Sequence, residues 1–173
     1  MIARVRHLGS RFFGSLRPRP LGPDDLTFVR ENLTPAELAC WERLGPADRV
    51  ESVKTARAAA SELGCAATET WIAAALLHDV GKTETRFGPF RRAGATAVAI
   101  VLRERRVRRW DNAVGRYVDH DERGARILER AGARREAVEW AAIHHRPERW
   151  PGSAVPPEMC RVLAAADGEP LRV

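Results

Sequence analysis

The stretch AALLHDVGK, Ala74 to Lys82, runs an aliphatic helical segment straight into adjacent imidazole and carboxylate groups, His78 and Asp79, before Gly81 stops it. Buried without partners, such groups cost a few kcal/mol. Two readings are open: an ordinary helix-end His bonded to a carbonyl, or a pair of metal ligands. The pattern recurs. VEWAAIHHRP delivers His144 and His145 at the end of an aliphatic-aromatic segment, RVLAAADG ends on Asp167, and His120 heads the segment that starts in YVDHDERGA. Each alone is usually structural. Three apolar segments that all end on imidazole or carboxylate point to convergence on a metal. Mixed donors of this kind suit Zn, Mn or Fe, whereas carboxylates alone suit Mg or Ca.

The elements that must position these groups read as helices almost throughout. Pro18, Pro20, Gly22 and Pro23 break any earlier structure, so residues 1–23 are expected to form a basic, poorly structured arm and residues 24–173 a single domain. DRVESVKTARAAASELG places Val50, Val53, Ala56, Ala60 and Leu63 at helical spacing. TETWIAAALLHDVG is the most apolar helix and belongs at the centre. GPFRRAGATAVAIVLRERR is apolar along Ala93, Ala97, Ile100 and Val101. DHDERGARILERAG is expected to start on an Asp N-cap and stop at Gly132. ARREAVEWAAIHHRP ends before Pro147, and VPPEMCRVLAAADG starts on prolines and stops at Gly168. No alternating strand-like run and no internal repeat occurs. The expected class is an all-α bundle.

Composition narrows the function. With 173 residues the chain suits one domain with a real core. Cys40, Cys65 and Cys160 are scattered, with no C-x-x-C pair, which argues against a disulfide framework or a Cys-type zinc site and fits a reducing cytosol. No apolar run approaches the roughly 20 residues of a membrane span. The basic N-terminus MIARVRHLGSRFFGSLRPRP lacks the apolar core and cleavage site of a signal peptide. The expected location is cytoplasmic. A net charge of +6 invites a nucleic-acid reading, but Lys54 and Lys82 are the sole lysines among 29 basic residues. That Arg and Ala excess matches high-GC codon bias. RERRVRR, Arg103 to Arg109, reads as a solvated helix end, so no specific nucleic-acid partner is expected.

On AALLHDVGK, HDERGARIL, HHRPERW and LAAAD the sequence resembles the HD-domain metal-dependent phosphohydrolases, over roughly residues 47 to 168. The resemblance implies an all-helical bundle with metals at its centre, and the added His and His-His pair look like the two-metal branch, as in HD-GYP-type phosphodiesterases, although no Gly-Tyr-Pro occurs here. Carried over residue by residue, it implies that Asp79 bridges two divalent ions (Mn, Fe or Zn), that His78 and Asp167 hold the first, and that His120, His144 and His145 hold the second. Lys82 would contact a substrate phosphate or support the site; its plain alternative is a solvated Lys near a helix C-terminus. The His that opens the family pattern falls on Glu51, and His7, in the arm, cannot replace it. Either Glu51 ligates the first metal, or it points to solvent and that site is weak.

A binuclear centre of this sort would hydrolyse a phosphoester through a metal-bridging hydroxide while neutralising the phosphate oxygens. The expected substrate is a nucleotide or a related small phosphoester. Asp119, Asp121 and Glu122 flank His120 and could orient imidazoles, but Asp121 and Glu122 read first as helix N-terminal acids complementing the dipole. In RPERWPG, Arg146 and Arg149 are candidate phosphate clamps, and Trp150 reads as a plug of the bundle edge before a base-stacking face. Trp71 and Trp140 belong to the core. TRFGPFRR, residues 85–92, reads as a second rim loop. The alternative to an enzyme is a degenerate relative that binds a phosphoester without turnover, a reading that Glu51 keeps open.

Overall fold

The computed structural model describes residues 20–168 apart from positions 86 and 103; most of the expected N-terminal arm, residues 1–19, lies outside the described residues. Prolines open the first three described helices and the last. Their missing N–H costs nothing in a first turn, where it would have no helical partner. They are α1 (Pro23–Asn32), α2 (Pro35–Trp41), α3 (Pro46–Leu63) and, at the far end, α10 (Pro157–Ala166). Between them lie α4 (Glu69–Leu77), α5 (Pro89–Leu102), α6 (Glu104–Val107), α7 (Ala113–Val118), α8 (His120–Ala131) and α9 (Arg135–Ile143), with single 3₁₀ turns at Gly64–Ala66, Val80–Glu84 and Pro147–Arg149. No strand occurs among the described residues.

Helix α4 is the axis of the bundle. Ile72 to Leu77 and Val80 are almost fully buried, as befits a helix that is apolar all round. Its alanines 73, 74 and 75 let neighbouring helices approach closely, and α1, α2, α3, α9 and α10 all pack against it. Burial of Ile72, Leu76 and Leu77 contributes about 1.5–3 kcal/mol each. That gain draws the helix inward, and its polar C-terminal end goes with it. A second, smaller apolar cluster, Ala99, Val107 and Val118, joins α5, α6 and α7.

One buried acid ties the far side of the bundle. The Thr34 backbone N–H donates to Glu37 Oε2 at 2.9 Å and the Glu37 N–H to Thr34 Oγ1 at 3.3 Å, a reciprocal cap for α2. The other Glu37 oxygen accepts from the Arg134 N–H at 2.9 Å, just before α9.

The expected α3 stripe faces inward, alongside polar residues, whereas the expected α5 stripe is placed differently. On α3 the buried positions are Asp48, Ser52, Val53, Thr55, Ala56 and Ala59, while Val50, Ala60 and Leu63 are half-buried. On α5, Ala95 and Ala99 face inward, whereas Ala93 and Ala97 are exposed and Val101 is 77% exposed. The Ile100 side chain lies outside the described set. Helix α5 is alanine-rich, and alanine loses too little on exposure to fix which face turns inward.

Candidate metal centre

His78 sits one residue past the end of α4, His120 is the first residue of α8, and His144 follows the end of α9. Each ring is anchored in the same way. Nδ1 lies 2.8 Å from the Ala75 carbonyl in His78, 2.8 Å from the Tyr117 carbonyl in His120 and 2.9 Å from the Ala141 carbonyl in His144, always three residues back. A carbonyl can only accept, so Nδ1 carries a proton and Nε2 faces inward, with a free lone pair wherever the ring is neutral. The two readings open in the sequence therefore coexist on one ring: the carbonyl bond holds one nitrogen and frees the other.

All three Nε2 atoms aim at Asp79. His120 Nε2 is 3.2 Å from Asp79 Oδ1, His144 Nε2 is 3.9 Å from the same oxygen, and His78 Nε2 is 3.4 Å from Asp79 Oδ2. His78 Nε2 also lies 3.4 Å from Asp167 Oδ1, at the end of α10. Yet the three Nε2 atoms and Asp79 Oδ1 are buried with no hydrogen-bond partner. The lone pairs of His120 and His144, the two rings held neutral, repel the carboxylate oxygens they face unless a cation lies between them. Buried groups left unmade cost about 1–3 kcal/mol each. Four of them converging on one point fit a divalent metal.

His145 completes the cluster. Donor atoms of His120, His144 and His145 all lie within 4.8 Å of one another, and the His145 ring is 4.0 Å from that of His144 and 5.2 Å from that of His120, centroid to centroid. The structure thus brings together His78, Asp79, His120, His144, His145 and Asp167. Glu51 is not in the 4.8 Å cluster. It lies on α3 one turn before Thr55, whose hydroxyl is 3.5 Å from Asp167 Oδ1, and its half-buried carboxylate is 3.6 Å from Lys54 Nζ. Lys82 Nζ donates directly to Asp79 Oδ2, so it faces the site.

Titration follows from these contacts. Burial opposes a charge on His78, but the Asp79 and Asp167 carboxylates outweigh it and raise the imidazole to about 10. Burial and the neighbouring rings of His145, His78 and His120 push His144 well below the usual imidazole range. Burial also lowers His120, against the pull of Asp79. Asp79 stays ionised: burial alone would raise it, but Lys82 and His78 hold it well below the carboxylate range. His120 and His144 are therefore neutral at pH 7, the form that binds a metal.

The family model for the HD domain matches residues 49–169. The chain belongs to the HD-domain family. No curated protein and no solved structure matches it significantly. Membership places the chain in a superfamily of metal-dependent phosphohydrolases. No described helix of this HD domain is long and apolar enough to cross a membrane.

Backbone contact sets the distance between the halves of the HD-domain site. A Cβ on Gly81 would lie 1.8 Å from the His120 carbonyl oxygen and 2.7 Å from the Gly124 N, so the turn after the doublet crosses the start of α8 with no side chain between. That crossing brings Asp79 within reach of His120.

The residues around the rim depart from the expected roles. Asp121 is not a solvated N-terminal acid. It is fully buried, and Arg108 grips it with two bonds of 2.6 and 2.9 Å. Burial would raise the Asp121 carboxyl, but Arg108 lowers it overall. Arg108 belongs to the cluster read as a solvated helix end, yet its side chain is largely buried between Asp121 and Asp119. Arg146 also reaches Asp121, at 3.2 Å, and shares Glu122 Oε1 with Arg149 at 2.6 and 2.8 Å. Both candidate phosphate clamps thus already hold carboxylates. Asp119 precedes α8 but makes no side-chain cap; it pairs with Arg108 and Arg123 instead. Trp150 Nε1 donates to the Ile143 carbonyl at 3.1 Å and its ring packs on Trp140. It plugs the bundle edge.

Sequence reading missed Thr55 and Arg108 as parts of the site, and it named Asp121 as a possible orienter of imidazoles but read it first as a helix N-terminal acid. A buried hydroxyl on an alanine-rich helix and an acid beside a helix-start His carry no signal of their own until the fold places them.

Proposed function

We propose that the chain is a metal-dependent phosphohydrolase that hydrolyses a phosphoester of a nucleotide or a related small molecule. The observation that carries this reading is the convergence of three buried Nε2 atoms without hydrogen-bond partners on the Asp79 carboxylate, two of them on Oδ1, which has no hydrogen-bond partner either, and that of His78 on Oδ2. Asp79 would bridge two divalent ions of the Mn, Fe or Zn type, with His78 and Asp167 on one side and His120, His144 and His145 on the other. Such ions, when bound, polarise a phosphoryl group and acidify water.

The chain's own groups do the rest. The carbonyl-anchored rings of His120 and His144 hold the neutral tautomer, so neither has to shed a proton or turn before it can donate, whereas His78 gives up a proton to a metal. Lys82 lies against Asp79 and can shift to a substrate phosphate oxygen, since an ammonium offers three donors. Arg146 and Arg149 can present guanidinium edges to an anionic ester by giving up Glu122. The buried helix ends keep bulk water from the reacting groups, which strengthens every charge interaction among them.

A second reading is a binding protein without turnover. It is favoured by Glu51, which stands where the family's first His would fall and lies 3.6 Å from Lys54. In that case Glu51→His gains hydrolysis. If Glu51 is itself a ligand, the same change lowers an activity already present.

The test is metal content by elemental analysis of protein prepared without chelator, followed by hydrolysis of p-nitrophenyl phosphate, its bis ester and a nucleotide panel. About two transition-metal ions per chain and an activity lost in Asp79→Asn support the enzyme. No metal after reconstitution with Mn²⁺ overturns it.

A further inference from the structure

We infer that Asp121 is a positioning residue for the imidazole cluster: clamped by Arg108 and Arg146, it locks the head of α8 to the tail of α9 and so fixes His120 against His144 and His145. The inference rests on the reading of this cluster as a metal centre.

The carbonyl anchors set the orientation of each ring within its own helix, and they do nothing to set one helix against another. His120 belongs to α8, whereas His144 and His145 belong to the tail of α9. The residues that join these two ends are the immediate chain neighbours of the ligating groups. Asp121 follows His120, Arg146 follows His145, and they meet at 3.2 Å. Asp121 is fully buried, and Arg108 takes both of its oxygens, at 2.6 and 2.9 Å. The carboxylate is thus held from both sides and cannot swing toward solvent. Glu122 repeats the tie nearer the surface through Arg146 and Arg149.

Charge adds a second effect. Two guanidiniums beside three imidazoles disfavour a bound cation, and Asp121 offsets them. Removing its charge while keeping its shape should loosen the geometry and leave less negative charge, that of Asp119 and Glu122, to offset Arg108 and Arg146. Removing Arg108 as well should then recover part of the loss. A residue that merely stabilised the fold would give no such recovery.

The test uses the full chain titrated with Co²⁺ alone, whose visible absorption reports ligand number and geometry. Asp121→Asn is expected to weaken Co²⁺ binding about 10- to 100-fold and to change the band, and Asp121→Asn with Arg108→Met to bind more tightly than Asp121→Asn. Arg146→Lys should lose less than Arg146→Met. If Asp121→Asn does not fold by far-ultraviolet circular dichroism, the Arg146 pair carries the test. Wild-type affinity and an unchanged band in Asp121→Asn and Arg146→Met overturn the positioning role and leave the metal centre standing. A wild-type chain that binds no Co²⁺ overturns the metal centre, and the positioning role with it.

Discussion

His120 Nε2 stands 3.2 Å from Asp79 Oδ1, and neither atom has a hydrogen-bond partner. Nitrogen and oxygen lone pairs are aimed at each other in a place water does not reach. A fold tolerates this when the intervening space is meant for a cation.

Loading the site should therefore stabilise the fold. At a free metal concentration about 100 times the dissociation constant, linkage gives about 2.7 kcal/mol. For a domain of this size that corresponds to a melting temperature higher by roughly 5–10 °C. Differential scanning fluorimetry with Mn²⁺, then with excess chelator, checks it; a melting point that ignores both would sink the metal reading.

His144→Leu should abolish that metal-induced shift. It also removes one of the buried unpaired atoms, so the metal-free variant is expected to melt no lower than the metal-free wild type. A variant that loses stability and keeps its metal response would contradict the role given to His144.

Gly81→Ala should cost at least about 1–3 kcal/mol, because the added methyl meets backbone atoms of α8 that cannot step aside. Metal affinity should fall with it, since α8 must move away from Asp79. Gly94→Ala is the control. Its Cβ would meet nothing within 4 Å, and on a helix the change should gain about 0.5–1 kcal/mol. Chemical denaturation of the two variants side by side separates these outcomes.

Stability of the metal-free protein should depend on pH in opposite directions on the two sides of neutrality. His120 and His144 are depressed in the fold, so their contribution is present above the ordinary imidazole range of about 6.5 and is lost as the pH falls below it. His78 is raised to about 10, so its contribution is complete below about 6.5 and drains away as the pH rises toward 10. A bound metal takes the place of the His78 proton, and the alkaline loss should then disappear. Melting curves from pH 5 to 10, with and without Mn²⁺, read both effects; an identical alkaline slope in the two series would count against metal at His78.

The cluster of polar helix ends was more legible in the sequence than the scaffold that aims it. His78-Asp79 announced itself because an apolar helix has no reason to end on two polar groups, and the same logic found His144 and Asp167. Asp121 was named but read first as a dipole-complementing acid, because an acid in the first turn of a helix looks the same whether it meets water or an arginine. Arg108 was lost in a basic run in which Arg106 and Arg109 are indeed exposed. The α5 stripe was misplaced because Ala93, Ala97 and Val101 share a face as regular as the one that is buried, and periodicity does not say which of two faces has a neighbour. Glu51 was visible as a departure, but whether it ligates depends on side-chain direction, which no spacing encodes.

The three carbonyl anchors carry a kinetic consequence. A ring already pinned at one nitrogen has spent its rotational freedom before any ion arrives. Capture then requires no search among side-chain conformers and no proton transfer from His120 or His144. Metal exchange in such a socket is paced by how fast the ion sheds its water, so slow-dehydrating ions should load slowly even where they bind well.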